Sequence, residues 1–454
     1  MKMNMKLIKL CCGVLLAALA SPVMAAETVD CHIGSYRLTD GSAVDIAPLD
    51  DGMLRWRRFD GTTGALHPGA DGGWKSTRGW TKEEDGTSVS FSDCATGEIK
   101  FNGMSGKRIA FDVKDVSFTS HGVTLAGRLV MPAGTDKVPV VVLVHGSEPD
   151  SALTGYSLQR MLPAAGIGAF VYDKRGTGKS GGTYTQDFAT LADDVDAAVA
   201  EARSLAGPRL GRIGLQGGSE GGWVAPMAAN RAHVDFVIVC FGLAVNVIDE
   251  DQESIELQMR EKGYSPEIIA QAQEVGHAAE KLFMADFKGS YEEYDAMKAK
   301  YQKQPWYKDV QGDFTWLILP HSDAELRAMA KDFDWHTPFY YDPMPTLRAN
   351  TTPQLWILGG EDYDAPSAET SMRIKSLITD GKPFTLAYYP KAEHGMTLFK
   401  TAPDGERLST RYAPGYFEMI RDFAREGRLP GAYGDADISR PAAVRAEAGS
   451  PVQP

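Results

Sequence analysis

"RIGLQGGSEGGW", Arg212–Trp223, joins a short apolar run to a string of small residues with one serine at its centre. The run Arg212–Gln216 reads as a strand buried on both faces. Directly after it stands Gly217-x-Ser219-x-Gly221, the pattern of a nucleophile elbow. There the chain turns from strand to helix so tightly that the serine takes a strained backbone and only small neighbours escape a clash. A glycine-rich turn would supply the same letters. The place of the motif, between a buried strand and a helix start, is what makes it informative.

Five further apolar runs resemble the one that leads into it: Val138–Val144, Ile167–Tyr172, Val234–Phe241, Pro353–Leu358 and Phe384–Tyr389. Helical stretches alternate with them. In "TLADDVDAAVAEARS", Leu191, Val195, Ala198, Val199 and Ala202 form one stripe. Buried strands alternating with helices predict an α/β, doubly wound sheet over residues 116–428. In such a sheet the chemistry sits just beyond the carboxyl ends of the strands. Residues 243–343 interrupt the alternation and read as a helical insert. Ile268, Ala272, Val275, Ala279 and Leu282 recur at helix spacing after Ser265-Pro266, and Ser322 to Glu325 is a capping box. The insert is rich in aromatics, most of which its own core accounts for. Its position predicts a lid over the strand ends.

Residues 27–115 follow another rhythm. Short alternating runs such as "MLRWRRF" are separated by Asp40-Gly41, Asp51-Gly52, Asp60-Gly61, Gly72-Gly73 and Asp85-Gly86. This predicts a small antiparallel β domain without an assignable chemical cluster. Residues 429–454, rich in Pro, Ala and Asp, have little to bury and read as a disordered tail. At the other end, Lys2, Lys6 and Lys9 precede an apolar run, Leu10–Ala20, and the small-residue site Val23–Ala26. Residues 1–26 therefore read as a secretory signal peptide, too short to span a bilayer, which implies a periplasmic or secreted protein. Export permits a disulfide, and Cys31 and Cys94 share the β domain. Closing that loop would stabilise by roughly 4 kcal/mol on the chain-entropy account. Cys240, within an apolar run, reads as an inert buried thiol.

The stretch "KRGTGKSGG", Lys174–Gly182, has the ingredients of a phosphate loop. Such a loop needs glycine where this chain has Asp173, and a helix starting at Lys179-Ser180, where Gly181 and Gly182 intervene. It is not a nucleotide site. The formal charge of −13 and the lack of a basic stripe argue against nucleic acid as a partner. No His-Glu-x-x-His or His/Cys cluster calls for a metal, and no cofactor is implied.

A serine at an elbow needs a base, and the base needs an orienting acid. His394, in "YYPKAEHGM", follows the last buried run. Asp362 is the preferred acid in "LGGEDYDAP", with Asp364 and Glu361 as alternatives. The order Ser219, Asp362, His394 is the one expected on this kind of sheet. Two backbone amides are expected to hold an oxyanion: that of Glu220, after the serine, and that of Ser147 in "HGSEP", with Gly146 as the alternative.

Together, "VVLVHGSEP", "YDKRGTGKSGG", "IGLQGGSEGG", "GGEDYDAP" and "AEHG" resemble the α/β-hydrolase superfamily, in particular bacterial serine esterases with an N-terminal β-rich domain and a helical cap. The resemblance spans about residues 116–425. It implies an α/β-hydrolase sheet with a cap insertion, a Ser219–Asp362–His394 triad and hydrolysis of small acyl esters through an acyl-enzyme. The same triad serves peptidases, amidases and acyltransferases, and a dead hydrolase scaffold can serve as a binding protein. Two positions depart from the family pattern. Gly218 stands where it usually has His, and Glu148 replaces a glycine of the oxyanion loop. A carboxylate there should disfavour acidic substrates, so Glu148→Gly is expected to raise turnover of anionic acyl esters relative to neutral ones. Equal effects on the two substrates would refute the charge argument.

Overall fold

A computed structural model describes residues 31–70, 72–330 and 335–441. The signal-peptide segment and the chain beyond 441 lie outside the described residues. Among the described residues two compact units emerge: 31–58 with Thr63–Ile109, and Phe59–Thr62 with 110–441.

The first unit is a closed antiparallel barrel of eight strands: β1 (Gly34–Leu38), β2 (Ala43–Pro48), β3 (Leu54–Arg58), β4 (Thr63–Pro68), β5 (Trp74–Arg78), β6 (Glu84–Phe91), β7 (Glu98–Phe101) and β8 (Met104–Arg108). Closure comes from β1, which pairs with both β2 and β8. Each strand turns alternate side chains inward. In β7, Ile99 and Phe101 are buried while Glu98 and Lys100 face water. Trp56, Leu66, Trp74 and Val89 complete the interior with their neighbours. Asn102-Gly103, both at positive φ, make the two-residue turn between β7 and β8 that the right-handed strand twist favours. Asp85-Gly86, expected in a turn, lies inside β6, where pairing with β5 shifts register. An Asp-Gly pair accommodates such a bulge as readily as a turn.

Cys31 and Cys94 are joined in this unit, with Cα atoms 5.7 Å apart. Among the described cysteines, only Cys240 is free, and it is buried. Thiol titration of unfolded protein comprising residues 31–441 is therefore expected to find two more thiols after reduction than before. An unchanged count would refute the bridge.

The second unit is built on a nine-stranded sheet. Its strands are β9 (Phe111–Ser120), β10 (Val123–Pro132), β11 (Val138–Val144), β12 (Gly168–Tyr172), β13 (Leu210–Gly218), β14 (Phe236–Cys240), β15 (Gln354–Gly359), β16 (Phe384–Tyr389) and, after a hairpin of β17 (Thr397–Thr401) and β18 (Arg407–Tyr412), β19 (Asp437–Ser439). The order across the sheet is β19-β16-β15-β14-β13-β11-β12-β10-β9. The strands from β11 to β16 pair in parallel. All six apolar runs are strands here, and the reason is visible in β11: Val140, Val142 and Val144 enter one core and Val141 and Leu143 the other. The predicted stripe lies on α1 (Phe188–Ala206), with all five residues buried.

Two expected boundaries move. The β domain ends at Ile109 rather than residue 115, because β9 pairs along its length with β10 and so belongs to the large sheet. The segment after residue 428 is not a loose tail as far as residue 441. Leu429 and Tyr433 are buried, and β19 adds antiparallel to β16. A few anchors suffice to order a segment whose average composition is polar.

After β13 comes α2 (Gly221–Ala229), and between β14 and β15 lies the insert, with α3 (Val247–Glu261), α4 (Pro266–Met284), α5 (Tyr291–Tyr301) and α6 (Asp323–Met329). The capping box at Ser322 is formed in both directions. Most insert aromatics pack on one another, as in the stack of Phe283 on Phe314 at 5.0 Å, whereas Tyr340 is exposed. Among the described residues no helix is long and apolar enough to cross a membrane.

Candidate active site

The elbow occupies the step from β13 to α2. Ser219 has φ 54°, the left-handed region that a non-glycine residue occupies only when its surroundings impose it. Its amide donates to the Cys240 carbonyl at 3.2 Å, and its carbonyl accepts from Gly222 at 2.7 Å. The flanking glycines are required sterically. A Cβ on Gly217 would lie 2.2 Å from the Gly221 carbonyl oxygen. One on Gly218 would lie 2.7 Å from the Phe241 ring, which would have to move aside for any larger residue there.

His394 and Asp362 come together from loops after β16 and β15. Nδ1 of His394 is 3.1 Å from both carboxylate oxygens of Asp362. This geometry places the Nδ1 proton against Asp362 and leaves Nε2 as the acceptor. Asp362 is 1% exposed, and its Oδ1 also accepts from the amides of Asp364 and Ala365. Glu361 points elsewhere, to Arg407 at 3.0 Å. Asp364 contributes its amide to Asp362. Burial opposes a charge on His394, but the Asp362 carboxylate, by charge and hydrogen bond, outweighs it and carries the imidazole up to about 9. Phe241 joins the two halves of the site: its ring reaches the elbow at Gly218 and meets the His394 imidazole edge-on at 4.8 Å.

The candidate oxyanion donors are free. Among the described residues neither the Ser147 nor the Glu220 amide has a hydrogen-bond partner. The Gly146 amide donates to Tyr156 Oη at 3.2 Å, so of the two candidates in the loop only Ser147 remains available. Glu148 is held by the Tyr156 hydroxyl, with His145 Nδ1 at 3.4 Å. Loss of solvent would raise its carboxyl, but the hydrogen bond and charge of His145 and the Tyr156 hydroxyl bring it down to about 2. Glu148 therefore stays anionic beside the loop.

A nine-stranded sheet in this order, an elbow after β13, and His394 on Asp362 beyond the last parallel strands decide the architecture. The second unit has the α/β-hydrolase fold.

A family model described as serine aminopeptidase, S33, matches residues 135–306. That is the part of the hydrolase from the approach to β11 into the insert, ahead of Asp362 and His394. Similar solved structures include a Pyrococcus furiosus esterase at 17% identity, covering 63% of this chain and 84% of that one with a TM-score of 0.40. A Pyrococcus horikoshii acylaminoacyl peptidase matches at 15% identity over 86% and 57%, TM-score 0.41. Est1E from Butyrivibrio proteoclasticus, with ferulic acid bound, matches at 14% over 69% and 97%, TM-score 0.38. No curated protein matches the sequence significantly.

Several residues of the candidate site carry no motif signal. Phe241 is simply the residue after β14. Glu250 and Asp313 come from the insert: Glu250 is 6% exposed and its carboxyl has no partner among the described residues. It lies one turn before Ser254, whose hydroxyl donates to the Tyr363 carbonyl in the Asp362 loop. Burial first, then Asp313, Asp251, Asp362 and Asp364, raise Glu250. Burial, Asp364 and Asp251 push Asp313 up to about 8, against an opposing pull from His394. Lys174, from the stretch that resembled a phosphate loop, is buried against Glu220 at 2.9 Å. Among the described residues, the cluster of potential metal-ligand atoms close enough to share an ion is Cys31, His32 and Cys94, two of which are bonded to each other.

Proposed function

We propose that this protein is a serine hydrolase that cleaves small acyl esters through an acyl-enzyme. The observation that carries the reading is His394 Nδ1 against both oxygens of Asp362, on a sheet whose elbow holds Ser219 at positive φ. Ser219 attacks the acyl carbonyl while His394 Nε2 takes its proton, and Asp362 holds the tautomer and stabilises the imidazolium. The tetrahedral oxygen rests on the Ser147 and Glu220 amides. His394 then protonates the leaving alcohol, and water releases the acyl group by the same steps. The Cys31–Cys94 bridge supports residence in an oxidising compartment, periplasmic or secreted.

A second reading, cleavage of amides that carry a free amine, is favoured by one observation. Glu250 and Asp313 set carboxyls near the Asp362 loop, where a substrate ammonium would find hydrogen-bond acceptors, with Asp313 anionic only above about 8. The family model's description as serine aminopeptidase agrees with it.

The experiment is a fluorophosphonate reaction on purified protein, followed by a panel of p-nitrophenyl acyl esters and aminoacyl p-nitroanilides. Label on Ser219 with ester turnover is expected, and a folded protein that takes no label would overturn the serine-hydrolase reading. Under the second reading anilides carrying a free amine are cleaved. For an anilide whose ammonium stays charged above about pH 9, such as one with a lysyl side chain, KM then falls as pH rises through about 8, because Asp313 is neutral below its raised pKa and anionic above it. Asp313→Asn would remove that pH dependence and, above about pH 8, raise the KM about tenfold, the loss of roughly one charge-assisted contact.

A further inference from the structure

Lys174 makes contacts that a surface turn does not need. It is 2% exposed, and its ammonium donates to the Gly146 carbonyl at 2.8 Å and to Glu220 Oε1 at 2.9 Å. The Tyr184 ring lies 4.6 Å from it, and the Tyr184 hydroxyl donates to the Ser147 carbonyl at 2.5 Å. The loop is therefore tied at the carbonyl on each side of the Ser147 amide.

The first tie matters most. The Gly146 carbonyl and the Ser147 N–H are the two ends of one planar trans peptide, so they point in opposite directions. Fixing the oxygen on Lys174 fixes the direction in which the N–H points. A positive charge on the oxygen also draws electron density across the peptide and makes that N–H a stronger donor. The second tie reaches Glu220, whose own amide is the other free donor. One ammonium thus fixes the Gly146–Ser147 peptide directly and also holds the side chain of the residue that carries the other donor.

We propose that Lys174 is a positioning residue that sets the geometry and strength of the oxyanion hole. This rests on the serine-hydrolase reading, in which those two amides receive the tetrahedral oxygen. The bland alternative is a buried ion pair that serves only stability. Such pairs are often replaceable by neutral groups once both charges are removed together.

The alternatives separate in three variants assayed with a p-nitrophenyl ester and with an alkyl ester and its thiono analogue, whose C=S is a poorer guest for amide donors. Loss of one oxyanion donor outright typically costs 10²–10³ in kcat, so misplacing the Ser147 donor is expected to cost about 10–100-fold. Lys174→Met should lower kcat by that factor with KM within about twofold, and shrink the oxo-over-thiono preference. Lys174→Met with Glu220→Gln removes both charges, and the loss should persist, because the Gly146 carbonyl still lacks its donor. Lys174→Arg keeps the charge but displaces the donor, and should lose less than Lys174→Met. If the single Met variant does not fold, the other two decide.

A folded double variant with wild-type kcat and an unchanged oxo-over-thiono ratio would overturn the proposal, as would equal losses on the alkyl ester and its thiono analogue. A wild-type protein that takes no label and turns over no ester fails at the earlier reading instead. An active wild type with an indifferent Lys174 fails at this one alone.

Discussion

Replacing Ser219 by alanine is expected to lower kcat by about 10⁶-fold with KM nearly unchanged, and to abolish fluorophosphonate labelling. The size follows from what remains. The Ser147 and Glu220 amides can still polarise a bound carbonyl, and His394 can still handle a proton, but no oxygen is held at bonding distance to attack. Background hydrolysis in the intact hole gives a residual 10³–10⁴ over water at most. Binding is a separate matter, because the pocket walls are untouched. Retention of more than about 1% of the wild-type kcat in Ser219→Ala would show that Ser219 is not the nucleophile. The same position tests the backbone. Ser219 sits at φ 54°, where glycine carries no Cβ penalty. Ser219→Gly should therefore be as inactive as Ser219→Ala but more stable, by about 1 kcal/mol or roughly 2 °C in Tm.

The second large effect concerns the acid. Asp362→Asn is expected to lower kcat by about 10⁴-fold, while Asp364→Asn costs less than tenfold. Only Asp362 accepts from the imidazole; an amide there would present a donor or a weaker acceptor and favour the wrong tautomer. The pH profile supplies an independent sign. His394 acts as base only when neutral, and Asp362 lifts its pKa to about 9. In the wild type, kcat/KM should therefore rise about tenfold per pH unit on the acid side and level off above about 9. Removing the Asp362 charge lowers the imidazole pKa, so in Asp362→Asn the acid limb shifts to lower pH although the plateau is far smaller. An acid limb that stays in place, with Asp364→Asn the more damaging of the two, would reassign the orienting residue.

The partition between these acids illustrates what one dimension carries. Strand positions were legible because burial on both faces leaves uninterrupted apolar runs such as Val138–Val144, a property of consecutive residues. The elbow was legible because its letters are local, three glycines and a serine within a few positions, although Gly217 alone is limited by a chain neighbour while Phe241 limits Gly218 and the His145 carbonyl limits Gly221. His394 could be singled out because the loops at the carboxyl ends of successive strands must meet. The choice among Glu361, Asp362 and Asp364 turned on preference alone in sequence. In space Glu361 is drawn off by Arg407, which comes from β18. The ordered segment after Leu429 was missed for the opposite reason. Its average composition is polar, and two buried side chains and a three-residue strand are too sparse to register.

By itself, then, the sequence determined the α/β alternation, the β-rich first unit, the helical insert and the candidate serine, acid and base, all of which rest on spacing between near neighbours or on order along the chain. Tertiary structure decided the rest: the closure of the barrel by β1 on β8, the Phe241 ring between elbow and imidazole, the carboxyls of the insert near the Asp362 loop, and Lys174 on the Gly146 carbonyl and the Glu220 carboxylate. Each depends on residues far apart in sequence that meet through the sheet order, 46 positions in the case of Lys174 and Glu220. A buried lysine and an exposed one are written with the same letter. What distinguishes them is the cost of leaving a charge unpaired in the interior, and that cost is set only when the chain has folded around it.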